Sequence, residues 1–170
     1  MVPKMRPARF AQHLLGLIRA DDQPTHAWSF QECGYTACPY GVVLGTPSRA
    51  LVYWQTVATS WPGESYDNPE QPAYGPPPPA LTRPVLPESG LTQMVHVEGY
   101  VAALLTASRD EGELRVLERY ADREKPGSVA YGMNLRFHNG AAIYLYARHC
   151  LPVDHRLTEH DRAFRPRDVI

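Results

Sequence analysis

A chain of 170 residues with 44% hydrophobic and 21% charged side chains has the make-up of an ordinary globular protein, one domain or two small halves sharing a core. Its net charge of −1 supplies no global field for nucleic acid or an anionic membrane, so binding of either would need a local basic patch. No apolar run approaches the ~20 residues of a membrane helix, the stretch 1–20 is broken by Arg9, Gln12 and His13 with no signal-type cleavage site, and an odd number of cysteines argues against a secreted disulfide framework, so the cytoplasm is the expected compartment.

Phe10, Leu14, Leu17 and Ile18 recur on one helical face, which predicts a helix over 8–19, with Pro7 at its start and Asp21-Asp22 then Pro24 at its end. Residues 26–31 alternate as a strand does, and 42–44 and 51–57 are two more strand candidates joined by a Gly/Pro/Ser-containing turn. Between 61 and 90 nine prolines occur, four of them consecutive at 76–79. Such a run favours extended polyproline II and blocks helix and sheet, as in a semi-rigid spacer or a ligand for an aromatic groove. Met94, Val97, Val101, Leu104 and Leu105 predict a second helix over 92–107. Ser108-Arg109-Asp110-Glu111 resembles a capping box, and Leu114, Leu117 and Ala121 then predict a third helix.

Residues 128–149 read as a hairpin around His138-Asn139-Gly140. A two-residue turn would pair Leu135 with Tyr144. A three-residue turn with Gly140 left-handed pairs Leu135 with Ile143 and Met133 with Leu145, gathering the aliphatics on one face, and burial of that face favours this register. The opposite face then carries Asn134, Arg136, Tyr144, Tyr146 and Arg148, a set able to stack planar groups or grip carboxylates. Arginine supplies every basic residue except Lys4 and Lys125, although codon bias alone produces such counts.

The two hairpins echo each other. Residues 40–53 and 131–144 align without a gap, sharing Tyr, Gly, Leu, Ala and a second Tyr in fourteen positions. This suggests an internal duplication. The expected fold is α+β: an antiparallel sheet from two β-hairpins with helices on one face. The expected organisation is a helix-plus-hairpin half over 1–60, a Pro-rich connector over 61–90, and a half of two helices, a hairpin and a tail over 91–170. The halves should pack as one domain or the protein should form a homodimer, because a lone hairpin is marginal in water.

Candidate chemistry is sparse. Cys33 and Cys38 could share a zinc ion with His149 and Cys150 if the hairpin ends met, although adjacent ligands converge poorly. His96-Val97-Glu98 matches half of a zinc-deaminase signature, but no Pro-Cys-x-x-Cys follows. The C-terminal His149, Cys150, Asp154, His155, His160 and Asp161, with Arg156, Arg162, Arg165 and Arg167, read as a solvated tail, a metal site or a phosphate-binding arm. No phosphate loop, dinucleotide turn or nucleophile elbow is present. No cofactor is therefore assigned. The leading expectation is a non-catalytic binding or regulatory protein using the Tyr/Arg face of the second hairpin on a protein or small-molecule partner. Two alternatives stand beside it: a small enzyme with Cys/His groups in a cleft, and a nucleic-acid-binding accessory protein.

Overall fold

Helix α1 (Pro7–Ala20) begins on a proline, whose missing N–H costs nothing in a first turn. It buries Phe10, Ala11, Leu14, Leu15 and Ile18 on one side. Three strands follow, β1 (His26–Ser29), β2 (Gly41–Gly45) and β3 (Leu51–Ala58). Then come α2 (Met94–Leu105), β4 (Leu114–Arg119), a 3₁₀ turn (Tyr120–Asp122), β5 (Gly132–Phe137) and β6 (Ala142–Leu151). This computed structural model describes residues 5–59, 67, 69–155, 157 and 168–170. The strands form one antiparallel sheet in the order β1-β2-β3-β6-β5-β4, and both helices pack on one of its faces. The core lies between the layers, where Phe10, Leu14, Ile18, Trp54, Tyr100, Met94, Met133, Leu135, Ile143 and Leu145 are fully buried. None of the described helices is long and apolar enough to cross a membrane.

The second hairpin adopts the register argued from its aliphatics. Leu135 pairs with Ile143 and Met133 with Leu145, and Gly140 takes a φ of 83°. The third helix is a correction: 114–119 is strand β4. A bulge between Leu114 and Val116 puts one extra residue into this strand. Leu114 and Leu117, opposite Phe137 and Leu135, therefore share the helix-covered face at a spacing of three. That spacing imitates a helix. The two hairpins accordingly become two three-stranded meanders, joined by antiparallel pairing of β3 with β6.

The described part of the Pro-rich connector is laid across the domain. Gly75 pairs with Gly112, Leu86 is 2% exposed, and the Leu86 N–H donates to the Gln23 side chain. The Leu81 N–H donates to Thr106 Oγ1, and Arg83 forms an ion pair with Asp21, which also accepts a 2.7 Å bond from the Tyr100 hydroxyl. Helix α2, apolar on nearly every side, thus has sheet, α1 and strap around it. Burial and the Asp21 carboxylate both hold the Tyr100 phenol well above its ordinary range. Ile170 docks beside the start of α2: its N–H bonds Thr92 O at 2.8 Å, and it is buried. His160, Asp161, Arg156, Arg162, Arg165 and Arg167 lie outside the described residues.

Helix-strand-strand-strand occurs twice, and the two units match residue for residue in their hairpins. The β2–β3 pairs Gly41–Gln55, Val42–Trp54, Val43–Tyr53, Leu44–Val52 and Gly45–Leu51 correspond to Gly132–Tyr146, Met133–Leu145, Asn134–Tyr144, Leu135–Ile143 and Arg136–Ala142, every one displaced by the same ninety-one positions. Gln55 and Tyr146, equivalent by this count, are also partners across the β3–β6 seam, which puts the local two-fold axis between them. The Tyr40 carbonyl accepts from the Thr56 N–H and the Tyr131 carbonyl from the Ala147 N–H, both at 3.0 Å. Above each Tyr-Gly step lies the aromatic residue that follows the edge strand. Phe30 covers Gly41, and Tyr120 covers Gly132.

Candidate functional site

Strand alternation sorts the second unit into two faces. Met133, Leu135, Phe137, Ile143, Leu145 and Ala147 are buried under the helices. Asn134, Arg136, Tyr144 and Tyr146 point to the opposite, helix-free face, where Arg136 is exposed and the others half-buried. Arg148 reaches the same face by a different route. A bulge opposite Tyr53 and Trp54 makes it the extra residue of β6, and its Nη1 donates to Gln55 Oε1 at 3.1 Å. All five sequence-predicted site residues therefore share one side of the sheet.

The rings there are ordered. Tyr144 and Tyr146, two apart on β6, lie 6.2 Å centroid to centroid at 13°. Tyr120, beside Ala121 of the expected third helix, joins them: its hydroxyl donates to Asn134 Oδ1 at 2.6 Å, and its ring is 6.2 Å from that of Tyr146. The Arg123 guanidinium sits 3.4 Å above the Tyr120 ring centre, a cation–π contact. Burial, only partly offset by Arg123, pushes the Tyr120 phenol up to about 12, so it donates its proton throughout the neutral range. The repeat could have pointed to Tyr120, because it occupies the place of Phe30.

In the first unit the same face is covered by the chain itself. Phe30, Cys38 and Val43 form a second small core, with Trp28, Tyr35, Leu51 and Tyr53 against it. Tyr35 stands edge-on to Phe30 at 4.6 Å and to Tyr53 at 5.2 Å, and its hydroxyl lies 3.1 Å from His149 Nε2. Burial raises the phenols of Tyr35 and Tyr53, while Arg148 pulls Tyr35 back down.

The zinc ligands of the sequence are not brought together. Cys33 is exposed, and Cys38 is buried beneath Phe30 on the helix-free side. Cys150 belongs to the main core, and His149 pairs opposite Tyr53 on the other side of the sheet. Adjacent residues of a strand point apart, which separates the second pair. Among the described residues no three His, Cys, Asp or Glu side chains converge on a metal position. His96 and Glu98 also part company, the first exposed and the second fully buried.

Glu98 serves the architecture. Its Oε1 accepts from Arg119 Nε at 3.0 Å and from the Ala121 N–H at 3.3 Å, and its Oε2 accepts from the Gly132 N–H at 2.9 Å. Burial nevertheless holds its carboxyl above the usual carboxylate range, against the pull of those donors. A cavity of roughly 260 Å³ beneath the Pro-rich strap is lined by Phe10, Phe137, Pro77, His13, Asp110 and Glu113. Arg9 clamps the Glu113 carboxylate there with two 2.8 Å bonds and also pairs with Glu70. No protein-family model matches the chain, and no curated protein or solved structure matches it.

Proposed function

We propose that this chain is a non-catalytic binding or regulatory protein whose partner docks on the helix-free face of the second unit. One observation carries the reading: equivalent surfaces of the two units differ in cover. Residues 30–38 pack over Val43, which is fully buried, and set Tyr35 against the half-buried Tyr53, whereas the equivalent Asn134 is only half-buried and the equally half-buried Tyr144 has, among the described rings, only its strand neighbour Tyr146 beside it. Tyrosine and arginine are the residue types that dominate binding energy at protein interfaces. The matching registers further support descent of the two units from one duplicated segment, with the second specialised for docking.

The test is affinity capture from the native host with quantitative mass spectrometry. Wild type should retain a partner that Tyr144→Ala/Tyr146→Ala loses by about tenfold or more. Thermal unfolding of the double variant should remain close to wild type, because neither ring lies in the main core. A partner held equally by both proteins would refute the reading. The Cys/His enzyme reading draws less support, since the described partners of Glu113 and the split of His149 from Cys150 serve packing and pairing.

A further inference from the structure

Resting on that docking surface, we infer the chemistry of what occupies it: a polypeptide segment carrying an aromatic side chain flanked by carboxylates, laid across β5 and β6 as residues 30–38 lie across β2 and β3. The first unit displays the mode in cis. After Phe30 has covered Gly41, with its N–H bonded to Gly41 O at 3.1 Å, the chain returns Tyr35 onto the Tyr53 ring and buries Cys38 at 4% exposure. In the second unit Tyr120 takes the place of Phe30 over Gly132. Among the described residues, no counterpart of Tyr35 stands on Tyr144; the ring beside it is Tyr146, its own strand neighbour. One aromatic cover is missing.

The substitutions between the units say how that cover must differ. Val43 becomes Asn134, Gly45 becomes Arg136, Gln55 becomes Tyr146, and Trp28 is answered by Glu118. The surface that receives the cover is thus polar and cationic where the first is apolar. Arg136 and Arg123 stand there against the single strand carboxylate Glu118, with Arg148 at the seam beside them, bonded to Gln55 of the first unit. The Arg148 Nε is buried and, among the described residues, has no acceptor. Guanidiniums beside rings favour carboxylates set next to an aromatic group. A single-stranded nucleic acid would also offer anions and planar rings. The polypeptide cover already present on the first unit favours the peptide.

The probes are synthetic twelve-residue peptides with one central Tyr, the counterpart of Tyr35, flanked by Glu, flanked by Lys, or flanked by Glu with the Tyr replaced by Ala, together with a dodecathymidine strand. Binding is read by NMR titration of the full chain. The Glu-flanked aromatic peptide should bind about tenfold or more tightly than the other two peptides and than the oligonucleotide. It should shift the signals of Asn134, Tyr144 and Tyr146, and weaken about tenfold in Tyr144→Ala and in Arg136→Ala. Equal binding of the Lys-flanked or Ala peptide, preference for the oligonucleotide, or no binding of the Glu-flanked peptide overturns the inference. Capture still lost in Tyr144→Ala/Tyr146→Ala would then leave the docking surface standing and remove only its acidic-aromatic occupant. Capture retained in that double variant would remove the surface itself.

Discussion

Replacing Glu98 with alanine is expected to destabilise the protein by about 3 kcal/mol, read as a shift of the denaturant midpoint at unchanged slope. The carboxylate ties helix α2 to β4, the 3₁₀ turn and the first residue of β5 through three donors. Its loss strands the Arg119 guanidinium, 20% exposed, and two backbone N–H groups in a site that is 0% exposed at Glu98. Arg119 keeps the Val95 carbonyl at 3.1 Å, which holds the cost to the lower end for a broken buried pair. Glu98→Gln retains the volume and one acceptor, so it should cost less than alanine. It also separates the charge from the shape. Because the folded state raises this carboxyl above its ordinary value of 4.5, the group's stabilising contribution is complete below that value and falls as pH rises through the folded pKa. Acidification toward 4.5 should therefore stabilise wild type relative to Glu98→Gln. A difference that is flat with pH would show that burial of the charge carries no cost.

Gly41→Ala and Gly132→Ala should each cost about 2–3 kcal/mol, although they lie in different halves of the chain. A Cβ at Gly41 would collide with the Trp54 carbonyl oxygen and the Phe30 ring. One at Gly132 would collide with the equivalent Leu145 carbonyl oxygen and come within 3.0 Å of the Tyr120 ring. A strand carbonyl in the middle of a sheet cannot move aside as a flexible side-chain tip can. Gly132 carries an additional penalty, because its φ of 156° is one that residues with a Cβ rarely adopt. Gly16→Ala, with open space around its Cα, is the control and should be neutral or slightly stabilising within helix α1. Equilibrium unfolding of the three variants checks the point. A tolerated alanine at either Gly41 or Gly132 would contradict the equivalence of the two units.

Much of this fold is legible in the sequence where a periodic pattern meets a local punctuation mark. Pro7 and the Phe10/Leu14/Ile18 face specify α1, and Asn139-Gly140 with the aliphatics of β5 and β6 specifies a register to the residue. The Tyr-Gly echo is equally informative, because its glycine answers a steric need imposed by a distant ring. The failures share a cause. The bulge at Arg115 hides a strand behind helical spacing, and the bulge at Arg148 hides the seam between the halves. Prolines at 76–79 announce extended chain but carry no sign of what that chain rests on. Its partners Gln23, Thr106 and Gly112 are scattered and individually ordinary. For the candidate site, alternation places Asn134, Arg136, Tyr144 and Tyr146 on one face, whereas Tyr120 and Arg123 arrive from a turn that no periodicity describes.

The central claim, that a partner docks on the helix-free face of the second unit, is tested most directly by site-specific photo-crosslinking. A benzophenone side chain is placed at Tyr144, and in a separate protein at His96, which is exposed on helix α2 of the opposite layer. Crosslinks to the captured partner from position 144, with none from position 96, are the expected result. Crosslinks from position 96 alone would place the partner on the helices and contradict the account.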